Sequence, residues 1–342
     1  MYKVGIIHGD GIGPEVVSAC LNVLEKIPVK FEFISVDAGY EYWKKHNSNS
    51  LVPDETMEIL KETDALLKGP TTTPQGPDSP KSVAVTIRQE FQLYANVRPF
   101  KKREGVSAPV DKLDVILVRE NTEGLYKGLE FKLNEDTAIG IRTITKKGSE
   151  RISRFAFELA RKEKRKKVTA VHKANICKET CGLFLNICKE VSKEYPDIEF
   201  DDSHVDATAM WLIRRPEWYD VLVTTNLFGD ILSDELAALT GSIGLSPGAN
   251  IGDDYAMFEP VHGSAPKYKG QNKVNPSATI LSGAMMLKYL GEEKYSKIIE
   301  KAVEDIIKES KTVTYDLGGK AKTSEMSDAI AKKVEDYIKI QE

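Results

Sequence analysis

Two aspartates four residues apart, Asp230 and Asp234, lie in the segment Tyr219–Glu235 (YDVLVTTNLFGDILSDE) just after an apolar run, Val221–Val223. That run, bounded by Asp220 and Asn226, predicts a buried parallel strand, and Gly229–Asp234 predicts the start of a helix. On a helix the two carboxylates share one face, with Cβ atoms roughly 5–6 Å apart. They also stand beyond the carboxyl end of a strand, where open α/β sheets place their ligands. Carboxylates this close repel unless something positive lies between them, and a divalent cation is one answer. The other is a helix cap at Asp230 and a solvated surface acid at Asp234. The segment alone leaves both open.

Three arginines, Arg88, Arg98 and Arg119, fall at or near the ends of predicted elements. As unrelated surface charges they mean nothing. If they converge, they suit a multiply charged carboxylic acid, because the guanidinium fork pairs bidentately with a carboxylate. Lys68, Lys173 and Asp206 each end a predicted strand, and a solvated strand end is the plain alternative for Lys173.

The elements that must position these residues alternate. Residues 3–8 predict a strand, followed by Gly9-Asp10-Gly11-Ile12-Gly13-Pro14 and a helix from Val16 onward. A dinucleotide fingerprint would need a glycine at position 14, which is proline, so the ordinary Rossmann motif is rejected. Further strands are expected at 31–36, 65–68, 114–118, 167–173 and 200–205, with helices at 53–62, 149–163, 278–290, 292–309 and 324–339. The short strands within 127–147 could form an arm. Loop 71–82 is long enough to suggest a function. Residues 241–254 read as irregular and 259–276 as a second long loop. Strands alternating with helices argue for an α/β architecture.

With 342 residues, two domains or one large α/β domain are expected. A net charge of −4 leaves no cation excess for a general nucleic-acid binder. Four cysteines are too few for a disulfide framework. No signal or spanning segment is apparent, so a cytoplasmic protein with no membrane partner is expected.

The ordered blocks GDGIGPE, LYANVRP, VRENTEGLY, VHKANI, NLFGDILSDE, GANIGD, EPVHGSAP and VNP, with the strand-end Asp206, run through nearly the whole chain. Together they resemble the decarboxylating β-hydroxyacid dehydrogenases, the family of isocitrate, isopropylmalate and homoisocitrate dehydrogenases. The resemblance implies a two-domain, non-Rossmann α/β fold. Residues 1–98 and 241–342 would form the large, cofactor-binding domain, and 99–240 the small domain with a dimer arm. It implies Mg²⁺ or Mn²⁺ held by Asp230 and Asp234 of one subunit and Asp206 of the other, in a homodimer with shared active sites. It also implies that Arg88, Arg98 and Arg119 clamp the substrate carboxylates, and that Tyr126 and the other subunit's Lys173 are the acid–base pair. Lys173 would take the hydroxyl proton, hydride would pass to the nicotinamide, CO₂ would leave, and Tyr126 would protonate the enolate carbon.

Within the family, Lys68, Thr73 and Ser82 resemble the isocitrate branch, where the serine meets the third carboxylate and Lys68 and Thr73 approach substrate and nicotinamide. Isopropylmalate enzymes usually place an acid and two leucines where this chain has Lys81, Ala84 and Val85. Ala84 departs from the isocitrate pattern, which has asparagine, and leaves room for homoisocitrate. His262, Gly263 and Asn275 fall in the family's cofactor blocks. Lys267, Tyr268 and Tyr315 resemble the NADP-dependent enzymes, whereas NAD users carry an aspartate at the first of these positions. Gly319 replaces the arginine expected there. The expected activity is NADP-dependent oxidative decarboxylation of isocitrate to 2-oxoglutarate, with NAD, homoisocitrate or 3-isopropylmalate, or a non-catalytic regulatory subunit, as alternatives.

Overall fold

The structure is a computed structural model and describes residues 1–76 and 79–341. Pro77 and Asp78, inside the expected functional loop 71–82, lie outside the described residues. The chain opens with β1 (Tyr2–Ile7), α1 (Gly13–Leu24), β2 (Phe31–Ser35), α2 (Tyr40–His46), α3 (Asp54–Lys61), β3 (Ala65–Lys68) and α4 (Val83–Glu90). It continues through β4 (Ala95–Lys101), β5 (Asp114–Glu120), β6 (Glu130–Lys132), β7 (Ala138–Gly140) and α5 (Lys146–Lys162). Then come β8 (Lys167–His172), α6 (Thr180–Ser192), β9 (Glu199–His204), α7 (Val205–Arg214), β10 (Val221–Thr224) and α8 (Asn226–Leu239). β11 (Pro247–Ile251), β12 (Ala256–Pro260), α9 (Ser277–Tyr289), α10 (Glu293–Glu309) and α11 (Thr323–Gln341) close it.

Two compact units emerge. The first holds residues 1–91, 103–107 and the chain from Gly241 onward; the second holds 92–102 and 108–240. In the first, strands run β2-β1-β3-β12-β11, parallel except for the antiparallel β11–β12 pair. Val4, Ile6 and Ile7 of β1 and Leu66 and Leu67 of β3 are fully buried. α9, buried on nearly every side, has the apolar composition that such a position demands. In the second unit the order is β4-β5-β10-β8-β9, with only β4–β5 antiparallel. Its core gathers Leu117, Val171, Leu222, Leu232 and Leu236.

Residues 92–98, assigned from sequence to the large domain, instead cluster with the second unit. The cause is pairing: β4 runs alongside β5 from Ala95↔Glu120 to Lys101↔Asp114. β11 occupies a stretch read as irregular, and β12 ends at Glu259 and Pro260 inside the second expected loop. Both are buried and carry Pro247, Gly248, Asn250 and Pro260, so neither the alternation nor the composition of an ordinary strand is visible. The expected arm strands shrink to the three-residue pair β6–β7. Phe131 and Ile139 on this hairpin are exposed, as are the flanking Leu129, Leu133 and Ile141.

Candidate active site

In the second unit the side chains converge on Asp230. Gly229, just before it in α8, makes this possible, because a Cβ there would meet Arg119 Cγ at 2.6 Å. Arg119, buried near the end of β5, therefore lies against the helix. Its Nε and Nη2 donate to Asn226 Oδ1 at 3.0 and 2.7 Å, and its Nη1 donates to Asp230 Oδ1. The Tyr126 hydroxyl donates to the other Asp230 oxygen, and the Arg119 guanidinium sits 5.0 Å from the Tyr126 ring centre. Arg98 of β4 donates to Ser233 Oγ at 2.5 Å, and Ser233 in turn donates to the Asp230 carbonyl at 2.7 Å. Asp234 follows one turn later and is exposed.

Electrostatics here follows from half-burial. Desolvation opposes ionisation of Asp230, but Arg119, the Tyr126 hydroxyl and Arg98 outweigh it and hold the carboxyl below its ordinary range. Burial, followed by the bond to Asp230, raises the Tyr126 phenol above its ordinary value despite Arg119. Tyr126 is therefore a protonated donor at neutral pH.

Lys173 and Asp206 form an ion pair of their own within this unit. That pair holds the Asp206 carboxyl below its usual range. The strand end leading to Lys173 is pinned by His172, whose Nδ1 accepts from the Ala174 amide at 3.0 Å. The proton therefore sits on Nε2, which faces Asp202 Oδ2 at 3.0 Å.

In the first unit, Lys68 and Arg88 are both buried and share one carboxylate. Lys68 Nζ donates to Glu259 Oε2 at 2.8 Å and to the Gly69 carbonyl at 2.9 Å. Arg88 Nη2 donates to Glu259 Oε1 at 2.9 Å. Burial opposes the Glu259 charge, but the two cations and Asn250 hold its carboxyl far below the ordinary range. Ser82 caps α4, its Oγ accepting from the Val85 amide at 3.2 Å. The hydroxyl proton remains available to a ligand. Thr73 lies on the exposed loop before α4.

His262, Gly263, Tyr268, Asn275 and Tyr315 line one cavity of about 410 Å³, together with Ile12 from the glycine-rich turn. Burial lowers the His262 imidazole, which is neutral at pH 7. Its Nδ1 lies 3.1 Å from the Gly263 carbonyl, so the proton sits there and the enclosed Nε2 is left as an acceptor with no partner among the described residues. Asp316 also lines the cavity, but its oxygens are occupied by Ser242 (2.6 Å), Asn275 (3.0 Å) and Thr314 (2.5 Å). Lys267 Nζ stands 4.9 Å from the Tyr268 ring centre and Lys273 Nζ 4.7 Å from that of Tyr315. The nearby Tyr315 and Lys267 pull the Tyr268 phenol below its usual range. Gly319 admits no side chain: a Cβ there would meet the Val313 carbonyl oxygen at 1.9 Å.

Sequence reasoning missed Asn226, Ser233, Lys273 and Glu259. Asn226 precedes Asp230 by one helical turn, a spacing that could have flagged it. Glu259 opens the EPVHGSAP block, and its role depends on strand pairing that the residues do not announce.

Carboxylate oxygens such as those of Asp230 and Asp234 suit a hard divalent cation. Among the described residues no three His, Cys, Asp or Glu side chains of one chain gather at a point.

The sequence pattern of isocitrate/isopropylmalate dehydrogenases matches residues 3–330. The chain belongs to this family. Its enzymes are dehydrogenases of small-molecule substrates, use NAD or NADP with a divalent metal, and are commonly dimers. A 3-isopropylmalate dehydrogenase from Archaeoglobus fulgidus is 47% identical over 331 residues, covering 97% of this chain and 99% of that protein. A homoisocitrate dehydrogenase from Methanocaldococcus jannaschii is 47% identical over 352 residues, covering 99% of each. The crystal structure of isocitrate dehydrogenase from Methylococcus capsulatus superposes with a TM-score of 0.94 at 48% identity, covering 98% of this chain and all of that one. Three substrates at nearly equal identity mean that overall similarity does not single out one of them. No helix among the described residues is long and apolar enough to cross a membrane.

Proposed function

We propose that this family member oxidises and decarboxylates isocitrate to 2-oxoglutarate and CO₂ while reducing NADP, as a homodimer in which each site takes Lys173 and Asp206 from the other subunit. The start of α4 carries the substrate assignment. Lys81, Ser82 and Ala84 offer a cation, a free hydroxyl proton and a small side chain, a setting for a third carboxylate and a poor one for an isopropyl group. Arg88, Arg98 and Arg119 bind the remaining carboxylates. Asp230, Asp234 and the other subunit's Asp206 hold Mg²⁺ or Mn²⁺, which when bound supplies Lewis acidity to the substrate oxygens. Lys173 takes the hydroxyl proton, and Tyr126, kept protonated by its surroundings, returns one to carbon. The exposed apolar hairpin β6–β7 suits an arm covered by the second subunit.

For the coenzyme, Lys267 and Lys273 beside two phenols, with Asp316 already engaged, favour a 2′-phosphate over a bare ribose. His262 Nε2 accepts from the adenine amino group, Asn275 and Gly263 line the same cavity, and Thr73 approaches the nicotinamide. Initial rates with isocitrate, homoisocitrate and 3-isopropylmalate, each with NADP and NAD, test the proposal. Negligible isocitrate turnover overturns the substrate; turnover of homoisocitrate alone would trace to the space at Ala84. Lys267→Asp with Tyr268→Ile is expected to shift preference towards NAD, and an unchanged ratio would move the phosphate site elsewhere.

A further inference from the structure

Glu259 touches two of the cations proposed to serve the substrate, Lys68 and Arg88. Oε2 accepts from Lys68 Nζ at 2.8 Å, and Oε1 accepts from Arg88 Nη2 and from Asn250 Nδ2, each at 2.9 Å. We propose that Glu259 is the positioning residue of the substrate clamp, fixing Arg88 and Lys68 so that Arg88 presents its remaining donors to a substrate carboxylate. This rests on the assignment of those two cations to the substrate.

Strand register delivers the contact. β12 runs parallel to β3 with Met257↔Leu66 and Phe258↔Leu67, so the next step brings Glu259 beside Lys68. Asn250 comes from β11, antiparallel to β12. A group anchored on three strands is held more rigidly than one on a loop. Arg88 Nε, by contrast, is buried with no hydrogen-bond partner among the described residues. A buried guanidinium N–H left unpaired is costly, and an arriving carboxylate would satisfy it. The charge agrees. Two cations against one carboxylate leave a single net positive charge, enough for one anion without two uncompensated buried cations.

Glu259→Gln keeps the shape but turns one accepting oxygen into an NH₂ that faces a donor. The two buried cations lose the counter-charge and the shared acceptor that aligned them, so positive charge remains while the order is lost. The KM for the acid is expected to rise about tenfold, with kcat within about threefold and the KM for the coenzyme within about twofold. In an Arg88→Gln background the same change should add less than about twofold, because no guanidinium remains to be held. Multiplying effects in that cycle, or equal losses for acid and coenzyme, would overturn the role. If Glu259→Gln does not fold, Glu259→Asp, charged but one methylene shorter, should raise the acid's KM about threefold with the same split. The assays use whichever of the three acids the wild type oxidises. Absent isocitrate turnover then counts against the substrate assignment alone, and an absent split counts against Glu259 alone.

Discussion

Each unit places a carboxylate among cations, and the two settings differ in burial. Glu259 is almost fully enclosed, and its partners Lys68 and Arg88 are buried with it. Asp230 is bound just as closely by Arg119 and Tyr126, yet its side chain remains 41% exposed. In a dry cluster a charge is stabilised only by partners already present, so losing one partner strands the others. In a half-open one, solvent or a ligand can replace a partner. The first arrangement suits a frame and the second a working centre.

The largest effect that would sharpen this contrast is on turnover. Asp230→Asn is expected to lower kcat about 10³-fold or more with a weakened response to Mg²⁺ or Mn²⁺, and to cost less stability than loss of Glu259. Rates across a metal titration, alongside urea unfolding, check it; ordinary metal saturation would break the comparison. Glu259→Ala should destabilise the fold by about 3–5 kcal/mol in urea unfolding, since Lys68 and Arg88 are left buried without a counter-charge. A loss under about 1 kcal/mol would show that the cluster is wetter than its burial implies. Tyr126→Phe should slow turnover about 100-fold while substrate affinity, measured directly, changes far less. An equal loss in both would make Tyr126 a binding residue.

The smallest effect is on acid stability. The Glu259 carboxyl is depressed on folding from an ordinary value of 4.5. Its contribution is therefore fully present above that pH and declines steadily as pH falls below it. Glu259→Gln should show a flatter loss of stability than the wild type below pH 4.5, followed by unfolding at a series of acid pH values. Parallel curves would place the acid sensitivity in other carboxylates.

Much of the second unit's site was legible because its chemistry is local. Asp230 and Asp234 share a helical face by spacing alone, and the apolar Val221–Val223 before them forms the buried strand it predicts. The motif blocks also named Arg98, Arg119 and Tyr126. What stayed hidden was how these groups bond to one another, with Arg119 lying against Gly229 and fixed by Asn226. The first unit was harder. β11 and β12 carry prolines, glycine and buried polar groups, which erase the strand signal while supplying Asn250 and Glu259. The missing arginine at Gly319 was visible in the sequence. That the Val313 carbonyl fills the space a side chain would need there was not.

By itself, then, the amino-acid sequence carried the family in the order of its motif blocks and the alternation of strands and helices in its short periodicity, together with residue types suited to a polycarboxylate and a hard cation. Only the tertiary structure decided which carboxylate each cation meets, and which of those carboxylates stays wet. Such pairings join residues such as Arg88 and Glu259, 171 positions apart, and depend on strand register and burial, which no local pattern encodes.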